Sequence, residues 1–116
     1  MNAAELITKA ADLIEQTGWS QKCNARDAQG KHVMVYDPRA TCFCAYGAMA
    51  KTMEDIPERQ LLIATATNAL SNYVVREFGE PEGGSGQNIV NYNDTPGRMK
   101  EEVLAVMRAT AKELTS

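Results

Sequence analysis

Aromatic residues, cysteines and long apolar runs are all scarce in this chain of 116 residues. Only 6% of the residues are aromatic, so a core has to be built mainly from aliphatic side chains and the six methionines. No run approaches the ~18 apolar residues that cross a bilayer, which argues against a membrane-spanning protein. Charged residues interrupt the apolar pattern between Met1 and Leu13, so we expect no signal peptide. The expected location is cytoplasmic, in a bacterium or an infected host cell.

Positive charge is scarce as well, since 12 basic residues stand against 15 acidic ones for a net charge of −3. Nucleic-acid affinity comes largely from neutralising phosphates, so this balance makes a nucleic-acid partner unexpected. An acidic protein that mimics nucleic acid remains an alternative, although its acids are interleaved with bases along the chain. Residues 22–39 carry four basic residues against two acidic ones, so this segment could meet an acidic surface on a partner.

The three cysteines, Cys23, Cys42 and Cys44, do not suggest a disulfide framework, because their number is odd and no signal peptide is expected. Cys42 and Cys44 are separated by one residue, which is shorter than the spacing in structural zinc sites. With His32 they give four possible zinc ligands within residues 23–44, a weak candidate site. The alternative is that the cysteines pack as small hydrophobic side chains. We expect no metal and no cofactor.

Size and periodicity predict one domain, residues 1–116, that is mainly α-helical. Four segments have apolar residues at helical spacing, and the predicted helices span about 3–17, 38–53, 57–78 and 96–114. A small β-hairpin is predicted at about 22–36 and a flexible, glycine-rich connector at 79–87. The expected fold is a compact bundle of about four helices with one hairpin between helices one and two, a helix-dominated α+β class.

Local signals define the ends of the first helix and the hairpin. Asn2 and Glu5 have the spacing of a capping box, and Gly18 is expected to end the helix in the left-handed conformation. The turn signal at 27–30 pairs residues 22–26 with residues 31–35.

Asp37 followed by Pro38 predicts the start of the second helix. Gly47 lies among small residues in that helix and predicts close packing by Trp19 or by a neighbouring backbone. Residues 88–92 are expected to form a short extended piece or a single helical turn.

Residues 92–98 are the most informative segment, because Asn93, Asp94 and Thr95 all have short side chains that bond to nearby backbone amides. In a structural interpretation, Asp94 or Thr95 caps the last helix and Asn93 makes the turn before it. In a functional interpretation, the free N–H groups of a helix start would bind an anion together with Arg98. A cation there opposes the helix dipole, so Arg98 is expected to pair with Asp94 or with an anionic partner.

A cysteine nucleophile is a second functional hypothesis. Cys44, with His32 as base and Asn93 or Asp94 as the orienting group, would supply the parts of a cysteine hydrolase or transferase. This hypothesis predicts a concave pocket between the second helix and the loop before the last helix. The predicted position of Cys44 in mid-helix argues against catalysis, because it lacks the pKa lowering of a helix N-terminus.

Several of these pieces occur together in a known pattern. Gly18-Trp19 ends the first helix, Asp37-Pro38 ends the following loop, Cys44-x-x-Gly-Ala lies in the second helix, and Tyr92-Asn93-Asp94 precedes the last helix. In this order the chain resembles a family of small uncharacterised bacterial and phage-encoded domains, which often have tryptophan where Tyr92 stands. The family has no established activity, so the resemblance implies an architecture and a phage or prophage origin.

The function expected is that of a small soluble non-enzymatic interaction protein, as a phage-encoded modulator or inhibitor of a host protein. A small enzyme or ligand-binding domain using Cys44 with Asn93 and Asp94 is the alternative. The partner would be another protein, with no membrane involved, and a homodimer is also open. The candidate binding residues are Trp19, Arg26, Lys31, Tyr36, Tyr92, Asn93, Asp94 and Arg98.

Overall fold

The structure is a computed structural model that describes residues 1–83 and 87–116. Its elements, in chain order, are α1 (Ala3–Thr17), β1 (Ala25–Arg26), β2 (Cys42–Phe43), α2 (Ala45–Thr52), α3 (Arg59–Phe78), α4 (Asn88–Asn93) and α5 (Lys100–Leu114). Helices dominate, and the antiparallel strand pair lies between α1 and α2 in the chain. The predicted helix-dominated α+β class is therefore confirmed. The predicted connector at 79–87 lies partly outside the described residues.

Helix α1 has the predicted bounds and lies at the centre of the fold, packed mainly against α2 and α5. Its start carries the predicted capping box, in which Asn2 Oδ1 accepts from the Glu5 amide at 2.9 Å and Glu5 Oε1 accepts from the Asn2 amide at 3.1 Å. The apolar stripe is inaccessible to solvent at Leu6 and Ile14. Gly18 ends the helix at φ 154° and ψ 167°, an extended glycine conformation rather than the predicted left-handed one.

The strand pair differs from the predicted hairpin, because β1 pairs with β2 and not mainly with residues 31–35. The turn at 27–30 forms, since the Asp27 amide donates to the Lys31 carbonyl at 2.9 Å, but pairing beyond it shrinks to a bridge between Arg26 and His32. The chain turns again at Met34, and β2 then supplies the partner strand. Pairing with β2 buries Phe43, which is 1% exposed, and this burial favours the longer-range register.

The predicted start of the second helix at Asp37-Pro38 is wrong, and α2 begins at Ala45. The Asp37 carboxylate accepts from the Arg39 amide at 2.8 Å, and the Ala40 amide donates to the Asp37 carbonyl at 3.0 Å. These bonds close a turn in place of a helix start. The strand register then holds the chain extended as far as Cys44, which becomes the N-cap residue of α2.

Gly47 allows the backbone at Asn24, just before β1, to pack directly against α2. A Cβ atom on this residue would lie 2.0 Å from the Asn24 carbonyl oxygen, which is far inside van der Waals contact. The predicted packing against a neighbouring backbone is therefore confirmed, and the backbone concerned is that of Asn24.

The later helices differ from the predicted ones at their starts. Helix α3 begins at Arg59, and residues 88–93 form a true short helix, α4. Helix α5 begins at Lys100 and not at residue 96, because the Arg98 amide donates to the Thr95 carbonyl at 3.0 Å in a preceding turn. Among the described residues, no helix is long and apolar enough to cross a bilayer.

Candidate functional site

Asn93 is a buried hydrogen-bonding centre at the end of α4, with only 1% of its surface exposed. Its Oδ1 accepts from Trp19 Nε1 at 2.9 Å and from the Ala45 amide at 3.2 Å. Its Nδ2 donates to the Ser20 carbonyl at 3.0 Å and to Asp94 Oδ1 at 3.0 Å. One side chain thus joins the loop after α1, the start of α2 and the end of α4. The predicted turn role of Asn93 before the last helix is wrong.

Asp94 and its neighbours hold the loop after α1 in place. Asp94 Oδ1 accepts from the Lys22 amide at 2.9 Å, and Lys22 is the one non-glycine among the described residues with a positive φ, at 69°. The Gln21 side-chain amide donates to the carbonyls of Asn93 and Thr95 at 3.0 and 2.9 Å. Asp94 therefore ends α4 and anchors a distant loop, and neither it nor Thr95 caps α5 as predicted.

Cys44 is at the N-terminus of α2, where its Sγ accepts from the Gly47 amide at 3.2 Å. Its thiol donates to Asn24 Oδ1 at 3.5 Å. Burial raises the pKa of this thiol to about 11, although the bond from Gly47 acts in the opposite direction. The predicted mid-helix position is wrong, yet the group is a protonated capping thiol and a poor nucleophile at neutral pH.

His32 does not join the other candidate catalytic residues. It is exposed and paired through its bridge with Arg26, and no hydrogen bond among the described residues links it to Cys44, Asn93 or Asp94. The structure brings Asn93 next to the start of α2, whereas His32 lies at its bridge with Arg26. The nucleophile, base and orienting group of the cysteine hypothesis are therefore not assembled.

The cysteines are all free thiols, with Cys23 and Cys42 half-buried and Cys44 buried. Burial also raises the pKa of Cys42. Within residues 1–83 and 87–116, no group of three or more histidine, cysteine, aspartate or glutamate residues is placed to hold a metal ion. The four possible zinc ligands do not form such a group.

Arg98 pairs within its own segment and not with Asp94. Its Nε donates to the Tyr92 carbonyl at 3.0 Å, and its Nη1 lies 3.3 Å from Glu102 Oε2. The guanidinium carbon lies 3.6 Å from the centre of the Tyr92 ring, and Phe78 stacks against the same ring at 5.5 Å. Burial raises the pKa of Tyr92. These contacts fix both predicted binding residues within the fold.

A cavity of about 360 Å³ lies beside Asp94, bordered also by Lys22, Tyr92 and Arg98. Phe78, at the end of α3, also lines this cavity, and none of its described lining residues belongs to α2. This cavity is therefore not the pocket that the cysteine hypothesis predicts between the second helix and the loop before the last helix.

A second concave surface lies along one side of α2. Two cavities of about 370 Å³ each share Tyr36, Tyr46 and Ala50, and together they form what we call the Tyr36 groove. The remaining residues of the Tyr36 groove are Cys23, Asn24, His32, Val33, Met34, Val35, Arg59, Gln60, Ile63, Ala64, Thr67 and Gln87. None of its described lining residues is acidic, although the chain has 15 acidic residues.

The other predicted binding residues have separate roles. Arg26 donates to the Gly30 carbonyl at 2.8 Å and to the Gln21 carbonyl at 3.1 Å, which stabilises the turn. Lys31 is exposed, and Tyr36 lines the groove with 39% of its surface exposed. Tyr46 and Arg59 were not among the predicted binding residues. Helical spacing places Tyr46 beside Ala50, but no sequence signal brings α3 to the same surface.

The comparisons with known proteins give one family. A family of unknown function (DUF6197) matches residues 1–113, and the chain belongs to it. Neither the curated proteins nor the solved structures gave a match.

Proposed function

We propose that this member of a family of unknown function is a non-enzymatic interaction protein that binds another protein at the Tyr36 groove. The observation that carries the proposal is the exposure of two large apolar side chains at this acid-free groove. Met34 is 75% exposed and Tyr36 is 39% exposed. Aromatic residues, methionine and arginine are enriched where proteins bind one another, whereas acidic residues are depleted there.

The state of the candidate catalytic residues supports a non-enzymatic role. The Cys44 thiol is buried with a pKa of about 11, and Asn93 uses both its amide oxygen and its amide nitrogen within the fold. Asp94 is likewise engaged by the Lys22 amide. These groups stabilise the packing of α1, α2 and α4, and a substrate would have to displace them.

In its more specific form, the proposal makes the protein a cytoplasmic, phage-encoded modulator or inhibitor of a host protein. The resemblance of its motifs to phage-encoded domains suggests this origin. A homodimer through the same surface is the second form of the proposal. Sedimentation of the purified protein alone, with and without a charge placed in the groove, distinguishes a self-association surface from one for a different protein.

The test uses Met34→Glu with Leu61→Glu as its matched control. Leu61 is 77% exposed on α3 and lies outside the groove, so both variants place a carboxylate at an equally exposed apolar position. Quantitative co-purification from cells that make the protein should recover a partner with the wild type and with Leu61→Glu, and lose it with Met34→Glu. Loss with Leu61→Glu alone would place the interaction surface elsewhere, and equal recovery by all three proteins would contradict the proposal.

A further inference from the structure

We infer that the Tyr36 groove binds an extended peptide segment of the partner, with a carboxylate of that segment against Arg59. This inference rests on the proposed function and adds the chemistry of the partner. It follows from the lack of a carboxylate partner for Arg59, the shape of the groove and the polar residues along it.

Arg59 is the one arginine or lysine in the groove, and no carboxylate of the described residues pairs with it. Four of the other five arginines have a carboxylate partner: Arg39, Arg76, Arg98 and Arg108. The guanidinium of Arg59 lies 5.8 Å from the centre of the Tyr36 ring, and its Nη1 donates to the Glu54 carbonyl at 3.3 Å. An arginine has five N–H donors, so most of them remain for a ligand.

The charge of the surroundings favours an acidic occupant. The protein carries a net charge of −3, yet none of the described groove residues is acidic. The acidic residues nearest to Arg59 in the chain, Glu58 and Asp55, are not among the described residues that line the groove, so a carboxylate that reaches Arg59 along the groove meets no acidic lining residue. Charge complementarity of this kind selects between partners and steers their encounter.

The shape of the groove favours an extended segment over a compact ligand. Each of its two cavities, at about 370 Å³, is by itself within the size of a small-molecule site. They share Tyr36, Tyr46 and Ala50 as a common border, so an occupant that fills both has to pass these residues. An extended chain does this while placing successive side chains in the two cavities.

Residues with polar side chains border both cavities of the groove and can meet the backbone of such a segment. Gln60 and Gln87 are among the residues that line the Arg59 cavity, and Asn24 is among those that line the other. Such groups provide the donors and acceptors that an extended peptide backbone requires.

The experiment is a selection from a display library of random nine-residue peptides on the immobilised full-length protein. The selected peptides are then synthesised and titrated against the wild type, Arg59→Gln and Arg76→Gln. Arg76 is a matched control, because it lies on the same helix α3 and also stacks on a tyrosine, Tyr73, but lies outside the groove. Circular dichroism confirms that all three proteins are folded.

We expect peptides with a recurrent aspartate, glutamate or free C-terminal carboxylate. Affinity should fall by about tenfold or more in Arg59→Gln, as for loss of a charge-assisted hydrogen bond, and stay unchanged in Arg76→Gln. Replacing the recurrent acid by its amide should cause a similar loss in the wild type. Backbone amide shifts caused by the peptide should fall on groove residues on both sides of Tyr36.

Three results would overturn the inference: no enriched peptide, enriched peptides without an acid, or equal affinity for wild type and Arg59→Gln. A single-stranded oligonucleotide that binds in an Arg59-dependent way while peptides do not would also overturn it in favour of a nucleic-acid ligand. If these results occur while Met34→Glu still abolishes partner recovery, the proposed function stands and only the peptide chemistry is wrong. If Met34→Glu leaves recovery intact, the proposed function itself fails.

Discussion

Replacing Asn93 by alanine should destabilise the fold severely, because four hydrogen bonds of this buried side chain are lost at once. The substitution removes the side-chain partner of the Ala45 amide and of the Ser20 carbonyl. Both residues are buried, with Ala45 1% and Ser20 4% exposed. It also leaves the half-buried Trp19 indole N–H unpaired. A buried polar group without a partner costs about 1–3 kcal/mol, so two such groups and a partial third predict a loss of about 3–4 kcal/mol.

The assay is urea unfolding followed by circular dichroism, with the slope of the transition checked to be unchanged. Asn68→Ala is the matched control, because Asn68 is exposed on α3. It should gain up to about 0.7 kcal/mol from the better helix propensity of alanine. A domain of this size has about 5–15 kcal/mol of stability in total, so Asn93→Ala should still fold at low temperature.

Trp19→Phe separates one of the four bonds from the rest. It removes the indole donor while keeping an aromatic ring, and we expect a coupling of about 1 kcal/mol between Trp19 and Asn93 in a double-mutant cycle. A loss below about 1 kcal/mol in Asn93→Ala would refute the reasoning, because water would then be replacing the side-chain amide. Full stability with a lost binding activity would instead make Asn93 a functional residue.

Three further predictions concern other parts of the fold. Gly47→Ala should lower the urea midpoint, because a Cβ 2.0 Å from a backbone carbonyl costs more than the gain of about 1 kcal/mol in helix propensity; an unchanged midpoint would contradict the close approach. At pH 8, iodoacetamide should alkylate Cys44 about 100-fold more slowly in the native than in the unfolded protein, because folding raises the pKa of the Cys44 thiol from 9.0 to about 11. Rapid alkylation of the native protein would support the cysteine-enzyme hypothesis instead. The hydrogen bond from Arg39 lowers the pKa of Asp37 to about 2. The stability that ionised Asp37 contributes is therefore present above pH 4 and is lost as the pH falls from 4 to 2. Titration of the Asp37 carboxyl by NMR should give a higher pKa in Arg39→Gln than in the wild type. An equal pKa in the two proteins would disprove the pairing.

The sequence predicted the elements whose stability is local. The capping box of Asn2 and Glu5 and the apolar stripe of α1 depend on residues three or four apart, and the observed helix has the predicted bounds. The turn at 27–30 formed for the same reason, because the Asp27 side chain bonds to amides within four residues of it.

The errors occur where a distant segment offered a better partner than the near one. Asp37 and Pro38 resemble a helix start, but pairing of Cys42 and Phe43 with β1 keeps the chain extended and moves the helix start to Cys44. Sequence patterns report local preference, and burial of Phe43 against the rest of the fold outweighs that preference.

The sequence singled out Asn93, Asp94 and Cys44, but the positions relative to the helices that it predicted for them are wrong. Asn93, Asp94 and Cys44 do lie in one region, but their hydrogen bonds reach residues up to 74 positions away, as in the bond from Trp19 to Asn93. Short polar side chains bond equally well to near and distant partners, so their type alone does not distinguish a cap, a catalytic group and a structural centre.

The sequence by itself determined the helix-dominated class, the ends of α1 and the need for close packing at Gly47. These follow from periodicity and from the small size of one residue, which act over a few positions. Only the tertiary structure decided that Asn93 is a buried structural centre and that Arg59 meets Tyr36 in an acid-free groove. The physical reason is that burial and hydrogen-bond pairing depend on which distant segments meet, and that is settled by the packing of the whole chain.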